Sequence, residues 1–253
     1  MLKPLVILPT YNERETLPVL LIKILGQEIF DILIIDDNST DGTKEIARTW
    51  KEKDPRVNLI ERPGKLGLGT AYIDGFKWAL KRNYDCMIEM DSDLSHNPND
   101  LPRFLFEIEK GTDLVIGSRY LWGTISVVGW DFRRLLLSRF GNFYASTILG
   151  IKVSDMTSGY RAYSRQALEG IDLDSVRSEG YAFQIEMAYH IKMAGFSIKE
   201  IPIVFHERAQ GQSKMSKSIV REALWLPWRL RLREVKNLIS GKAPKRSGYE
   251  RHA

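Results

Sequence analysis

The sequence predicts an α/β protein, a mostly parallel β-sheet with helices on both faces, followed by an amphipathic C-terminal helix. Two observations carry this. Short, nearly continuous apolar runs alternate with longer helix-compatible stretches through the first half of the chain, the pattern of strands buried on both sides. Each run also ends in polar or acidic residues, at the strand ends where open α/β sheets bind ligands.

Strands are expected at 5–9, 32–35, 57–60, 87–90 and 114–116, with helices between them at 13–27, 41–53, 69–82 and 99–110. Ser39, Thr40 or Asp41 is placed to cap the second helix, and Pro98 with Asn99 and Asp100 to open the fourth. The second half is less regular, with helices expected at 132–149 and 181–194 and strands at 159–164 and 198–205. Residues 216–239 read as a helix with the apolar stripe Leu224, Trp228, Leu232, Val235 and Ile239. Pro227 should kink or split it, and the alternation Arg229-Leu230-Arg231-Leu232-Arg233 leaves a short strand open. The expected organisation is an α/β domain over 1–214, an amphipathic segment over 215–240 and a flexible basic tail over 241–253.

At 43% hydrophobic and 27% charged residues the 253-residue chain is a globular protein with enough length for a sizeable core. Its one cysteine, Cys86, excludes an intrachain disulfide and a cysteine metal cage, which suits a reducing, cytoplasmic setting. The N-terminus has no signal-peptide pattern, and no stretch approaches the roughly 18 apolar residues of a spanning helix. The net charge of +5 is uneven: residues 214–253 hold eleven Lys/Arg against three acids, leaving −3 on the rest. Trp225 and Trp228 lie among Arg221, Arg229, Arg231, Arg233 and Lys236, a combination suited to the headgroup region of an anionic membrane. A helix packed on the core with a solvated basic face is the alternative. No nucleic-acid module is recognisable.

Asp91-Ser92-Asp93 follows the fourth strand, and carboxylates two residues apart on extended chain can reach one hard divalent cation, with a nucleotide diphosphate completing its shell. Asp36 and Asp37 end the second strand, where one of the two is expected to accept hydrogen bonds from a nucleoside. Lys65-Leu66-Gly67-Leu68-Gly69-Thr70 permits close backbone approach at Gly67 and Gly69, with Lys65 near a base or phosphate. There is no G-x-G-x-x-G and no Walker sequence, so dehydrogenase and P-loop readings fail. Arg119, Arg134, Arg208 and Lys214 lie in or near predicted loops, and together they suit an anionic substrate.

These segments occur in a telling order. Pro9-Thr10-Tyr11-Asn12-Glu13, residues 36–42, 65–72 and 91–96, and Gly117-Ser118-Arg119 come first. Asp155-Met156-Thr157-Ser158-Gly159-Tyr160-Arg161, residues 180–186 and residues 208–216 follow. The series, over about residues 4–226, resembles the polyprenol (dolichol) monophosphate mannose synthases, inverting family 2 glycosyltransferases of GT-A fold. Residues 219–225 look closest to the bacterial members, and the chain is similar to the soluble ones, which lean on a membrane-anchoring subunit or on amphipathic helices.

The resemblance implies a GDP-mannose donor, a divalent metal (Mg²⁺ or Mn²⁺), a polyprenyl or dolichyl phosphate acceptor, and a peripheral place on the cytoplasmic face of a membrane. By position, Pro9, Tyr11, Glu13 and Asp36 or Asp37 would hold the nucleotide, with Lys65 and Gly69 nearby. Asp91 and Asp93 would serve the metal and diphosphate, with Ser95 where some relatives have a glutamine ligand. Arg119, Arg134 and Ser138 would bind the acceptor phosphate, and Arg208 with Lys214 would close over the diphosphate. The rival expectations are a lipid-phosphate glycosyltransferase using another donor, such as UDP-glucose, and a non-catalytic nucleotide-sugar-binding subunit of a membrane complex.

Overall fold

The computed structural model describes residues 2–207 and 217–239. Its centre is a seven-stranded sheet of order β3-β2-β1-β4-β7-β5-β8. The strands are β1 (Pro4–Thr10), β2 (Asp31–Asp36), β3 (Val57–Glu61), β4 (Cys86–Glu89), β5 (Leu114–Ser118), β7 (Arg161–Ser164) and β8 (Ile198–Pro202). All neighbours are parallel except β7, which runs antiparallel between β4 and β5. Two short strands, β6 (Val127–Val128) and β9 (Phe205–His206), pair separately. The expected strand at 198–205 is therefore two strands in two sheets.

Side-chain alternation builds the layers. Leu5 and Ile7 of β1 face one core with Leu33, Ile35 and Met87, while Val6 and Leu8 face the other with Ile32, Ile34 and Ile88. The second core is closed by α1 (Thr16–Leu25), α2 (Thr43–Lys53) and α4 (Leu101–Glu109). The first is closed by α3 (Leu68–Leu80), α5 (Phe132–Leu149), α6 (Arg165–Glu169), α7 (Gly180–Met193) and α8 (Lys217–Ile239). The fold is thus the expected helix–sheet–helix sandwich. Cys86 is buried within it, as an inert thiol should be.

Helix α8 covers the stretch read as helical and decides what that reading left open. It is not split at Pro227, and residues 229–233 are helical rather than extended. The face that packs carries Leu226 and Leu230, each 2% exposed, and the Leu230 carbonyl accepts from Tyr189 Oη on α7 at 3.3 Å. The expected stripe points outward: Leu224, Trp228 and Leu232 are 43%, 48% and 65% exposed, while the side chains of Val235 and Ile239 lie outside the described set. Apolar residues at 224–228 and again at 230 and 232 offer two competing helical stripes, and contact with α7 selects one. Among the described residues no helix is long and apolar enough to cross a membrane.

Leu230→Ala should therefore cost about 2–5 kcal/mol in urea unfolding, as for other buried leucines. Leu232→Ala should stay within about 0.5 kcal/mol. Equal effects would mean that α8 is docked by its other face.

Candidate active site

The carboxyl ends of β1, β2, β4 and β5 and the amino end of the reversed β7 lie along one edge of the sheet. A cavity of about 540 Å³ opens there. Pro9, Tyr11, Glu13, Asp37 and Lys65 line one end, Asp91 and Asp93 the middle, and Arg119, Trp130, Arg134 and Glu207 the other end.

At the first end the β1–α1 and β2–α2 loops are cross-linked by hydrogen bonds. The Asn12 N–H donates to Ser39 Oγ, the Glu13 N–H to Thr43 Oγ1 and the Arg14 N–H to Asp41. Asn12 and Asn38 both adopt positive φ, a conformation asparagine tolerates well. Asp41 accepts the Thr43 N–H at 3.0 Å, although the residue in the helix-capping position is Gly42. Lys65 Nζ lies 4.1 Å above the Tyr11 ring.

The acidic pair after β2 divides its labour. Asp37 lines the cavity and accepts from the Arg62 guanidinium at 2.7 Å and from the N–H groups of Leu66 and Gly67. Asp36 is fully buried and accepts from the Ser39 N–H, Ser39 Oγ and Thr10 Oγ1. Those bonds hold the loop, so of the two only Asp37 meets the cavity. Gly69 is likewise off the cavity wall. A Cβ there would stand 2.6 Å from the Ser178 carbonyl, and its N–H donates to Glu179. The close approach it permits is to the start of α7.

At the middle, β4 ends at Glu89, so Asp91 and Asp93 occupy a bend beyond the strand rather than extended chain. The bend is pinned by Asp91 N–H to His96 Nδ1, Ser95 N–H to Asp93 Oδ1, and Ser92 Oγ to the Pro9 carbonyl. Leu94 takes φ +64°, a strained value for a leucine beside the candidate site. Among the described residues no group of three His, Cys, Asp or Glu forms a metal cluster. Two carboxylates on one cavity wall still fit a hard divalent cation that takes its other ligands from phosphate and water. Ser95 is buried, is not on that wall, and its Oγ has no hydrogen-bond partner among the described residues.

Beneath the pair, Glu89 is fully buried and accepts from Gln184 Nε2 at 2.7 Å. Burial pushes its carboxyl up to about 8, against the opposing influence of Arg161 and Gln184. Gly159 sits beside this group: a Cβ there would lie 3.8 Å from Asp91 Oδ1 and from Gln184 Nε2.

At the third part, Arg119 is 4% exposed, and its Nε and Nη2 donate to Asp155 at 2.7 and 2.6 Å. Burial works against both charges, yet the partners outweigh it: Arg119 is held above its ordinary range and Asp155 below. Arg134 stacks 4.2 Å over Trp130 and pairs with Glu207 at 2.7 Å. Ser138 accepts from Tyr120 Oη at 2.8 Å and lines an adjoining apolar groove instead of the main cavity. Arg208 and Lys214 lie outside the described residues.

A family model, glycosyl transferase family 2, matches residues 5–172. The chain belongs to that family. Polyprenol monophosphomannose synthase of Mycolicibacterium smegmatis is 47% identical over 225 residues, 88% of this chain and 84% of the relative. Undecaprenyl-phosphate mannosyltransferase of Micrococcus luteus is 46% identical over 224 residues, 88% of this chain and 91% of the relative. In fold, the chain is similar to glucosyl-3-phosphoglycerate synthase from Mycobacterium tuberculosis in complex with phosphoglyceric acid. That likeness has TM-score 0.65 at 18% identity and covers 90% of this chain and 80% of the other. The same enzyme with Mn²⁺, UDP-glucose and phosphoglyceric acid gives TM-score 0.64 at 18% identity, with the same coverage. The protein is a glycosyltransferase of GT-A fold.

Several residues of this glycosyltransferase's cavity escape a reading of strand ends. Glu179 comes from the residue before α7, Gln184 from within α7 and Glu207 from the residue after β9, while Arg62 acts from behind the wall by donating to Asp37. The one available signal was the run at 155–161 and 180–186. Asp155 from the first secures Arg119, and Gln184 from the second supports Glu89.

Two outcomes follow from these burials. Asp155→Asn leaves the buried Arg119 charge without its counter-ion and should destabilise the protein by about 3–5 kcal/mol in chemical denaturation. Glu89 has a folded-state value near 8, above the unfolded value of about 4.3. The folded state therefore holds the proton more tightly, and stability falls as pH rises between those values. Glu89→Gln has no such proton, so its Tm advantage over the wild type should grow from pH 5 to pH 8. A pH-independent difference would refute the assignment.

Proposed function

We propose that this glycosyltransferase transfers mannose from GDP-mannose to a polyprenyl monophosphate with inversion, giving polyprenyl phosphate β-D-mannose and GDP. The observation that carries the reading is one cavity with a carboxylate pair in its middle and a pair of arginines at one end. It is supported by the two curated relatives, whose names specify mannosyl transfer to polyprenol or undecaprenyl phosphate.

Asp91 and Asp93 would hold a divalent cation, Mg²⁺ or Mn²⁺, which when bound neutralises charge on the leaving diphosphate. The chain's own residues do the rest. Tyr11, Glu13, Asp37 and Lys65 form the nucleoside end, with the Lys65–Tyr11 stack as a ready platform. The resemblance assigns Arg208 and Lys214 to the diphosphate. Arg134 and Arg119 offer guanidinium donors where the acceptor phosphate enters, Arg134 once the phosphate replaces Glu207, and Asp155 keeps Arg119 charged and oriented. The nucleophile is a phosphate oxygen that is anionic at neutral pH, so the reaction calls for positioning more than for a general base. Displacement from the face opposite the leaving group inverts the anomeric centre.

The acceptor is a lipid, and the exposed apolar side chains suit work at a bilayer. Phe132, Leu136, Phe140 and Phe143 of α5 stand 53–71% exposed, and Trp225 of α8 is 70% exposed. Arg229, Arg231, Arg233 and Lys236 are exposed on the same helix α8. This combination fits peripheral docking on an anionic leaflet, in this reading the cytoplasmic one.

The test is incubation of the purified chain with GDP-mannose, a short polyprenyl phosphate and Mg²⁺ or Mn²⁺, with mannosylated lipid read by mass spectrometry and UDP-glucose as a parallel donor. Metal-dependent mannosyl lipid of β configuration is expected. Glucosyl lipid in its place would overturn the donor assignment. Asp93→Ala should lower kcat by on the order of 10²–10³-fold, the scale for losing one transition-state contact, with an unchanged circular dichroism spectrum. A near-normal rate would remove Asp93 from the machinery.

A further inference from the structure

Beside the donor cavity lies a second one of about 230 Å³, between α5 and α8. Leu137, Phe140, Tyr144, Ile185 and Leu224 make it almost wholly apolar. Its inner end is shared with the donor cavity through Arg119, Trp130, Arg134, Thr157 and Tyr181. The groove therefore runs from a pair of guanidinium groups into hydrocarbon surroundings, the shape and charge of a binding site for an anionic head on an apolar tail.

Gly141 adds an independent observation. It lies inside the 18-residue helix α5, where glycine weakens a helix relative to alanine. A Cβ at this position would meet nothing within 4 Å, so no neighbour in the protein requires the glycine. Yet Gly141 lines the groove. The missing side chain keeps the groove wall open for something that is not part of the chain.

The groove is also held in shape. Tyr144 Oη donates to the Leu224 carbonyl at 2.8 Å, and Trp228 Nε1 donates to Tyr144 Oη at 2.9 Å. These bonds join α8 to α5 across the groove and satisfy the Tyr144 hydroxyl, so what faces the groove from Tyr144 is mainly its ring.

We propose that this groove binds the isoprene units next to the acceptor phosphate, so that the protein itself, rather than the bilayer alone, aligns the start of the lipid chain with the reacting oxygen. The assignment rests on the proposed function. With the phosphate at Arg134, displacing Glu207 from its ion pair, the chain enters between Leu137, Gly141 and Leu224. The groove is smaller than the ~300–1,000 Å³ of a drug-sized site. It therefore holds only the first units, and the remainder continues over the exposed Phe143 and Trp225 surface.

The experiment measures binding of a ten-carbon prenyl phosphate, below its micelle concentration and without donor, to the full chain and to Gly141→Leu and Gly141→Ala, by calorimetry. Inorganic phosphate is the control. Gly141→Ala guards against misfolding, since alanine favours the helix and its methyl enters open space. Gly141→Leu should weaken prenyl phosphate binding by roughly tenfold or more, the loss expected when about two methylenes lose their site. Gly141→Ala should weaken it less, and phosphate binding should be equal in all three. The matching activity result is a raised KM for the prenyl phosphate with the GDP-mannose KM unchanged. Equal prenyl phosphate affinity in all three proteins, or none in the wild type, would overturn the proposal. So would a dimer in sedimentation velocity that Gly141→Leu dissociates, since the groove would then belong to a second copy. Binding that behaves as expected, without mannosyl transfer by the wild type, would sink the proposed reaction and leave the groove standing.

Discussion

The Arg161 guanidinium, fully buried at the amino end of β7, donates to the carbonyls of Ser158, Met156 and Gln184, each at 2.7 Å. Two of those carbonyls belong to the loop entering β7 and the third to α7, so one charged group joins loop, strand and helix. Arg161 also stands opposite Glu89 in the β4–β7 register, and Glu89 is tied in turn to Gln184. The reversed strand, the loop at 155–160 and helix α7 are thus fastened together beneath Asp91. Burying a guanidinium is tolerable only because its donors meet fixed acceptors. The same requirement leaves the loop little freedom to rearrange.

What this fastening positions is a cavity with charge sorted along its length. Carboxylates occupy the middle, where a cation and a diphosphate would sit. Guanidinium groups occupy one end, and each already has a carboxylate partner: buried Asp155 for Arg119, and the more exposed Glu207 for Arg134. The two pairs differ in kind. Asp155 is inaccessible and orients its arginine, whereas Glu207 is 44% exposed at its side chain and stands where an incoming anion can replace it. The Trp130 ring lies 5.3 and 4.2 Å from the guanidinium carbons of Arg119 and Arg134 and favours both charges.

The strands and helices of the first half were legible because each apolar run has one period and one neighbour pattern. Less of the site was legible. Asp36 and Asp37 are adjacent acids, and only the hydrogen bonds made by Ser39, Thr10 and Arg62 show which one is consumed by the loop and which meets the cavity. Gly69 read as a point of close backbone approach near the nucleotide, and the approach it makes is to Ser178 and Glu179, more than a hundred residues away in sequence. Glu207 and Gln184 gave no signal of their own, since a lone polar residue on a loop or helix has many ordinary uses.

By itself, the sequence determined the alternation of strands and helices, the acidic and basic character of the strand ends, and the family, since all of these depend on local pattern and order along the chain. The tertiary structure alone decided which of two apolar stripes on α8 packs and which stays exposed, that Asp37 and not Asp36 reaches the cavity, and that a groove open at Gly141 runs into the arginine end. These depend on which distant segments meet, and a side chain's role is settled by the partners packed around it, which periodicity along one segment does not contain.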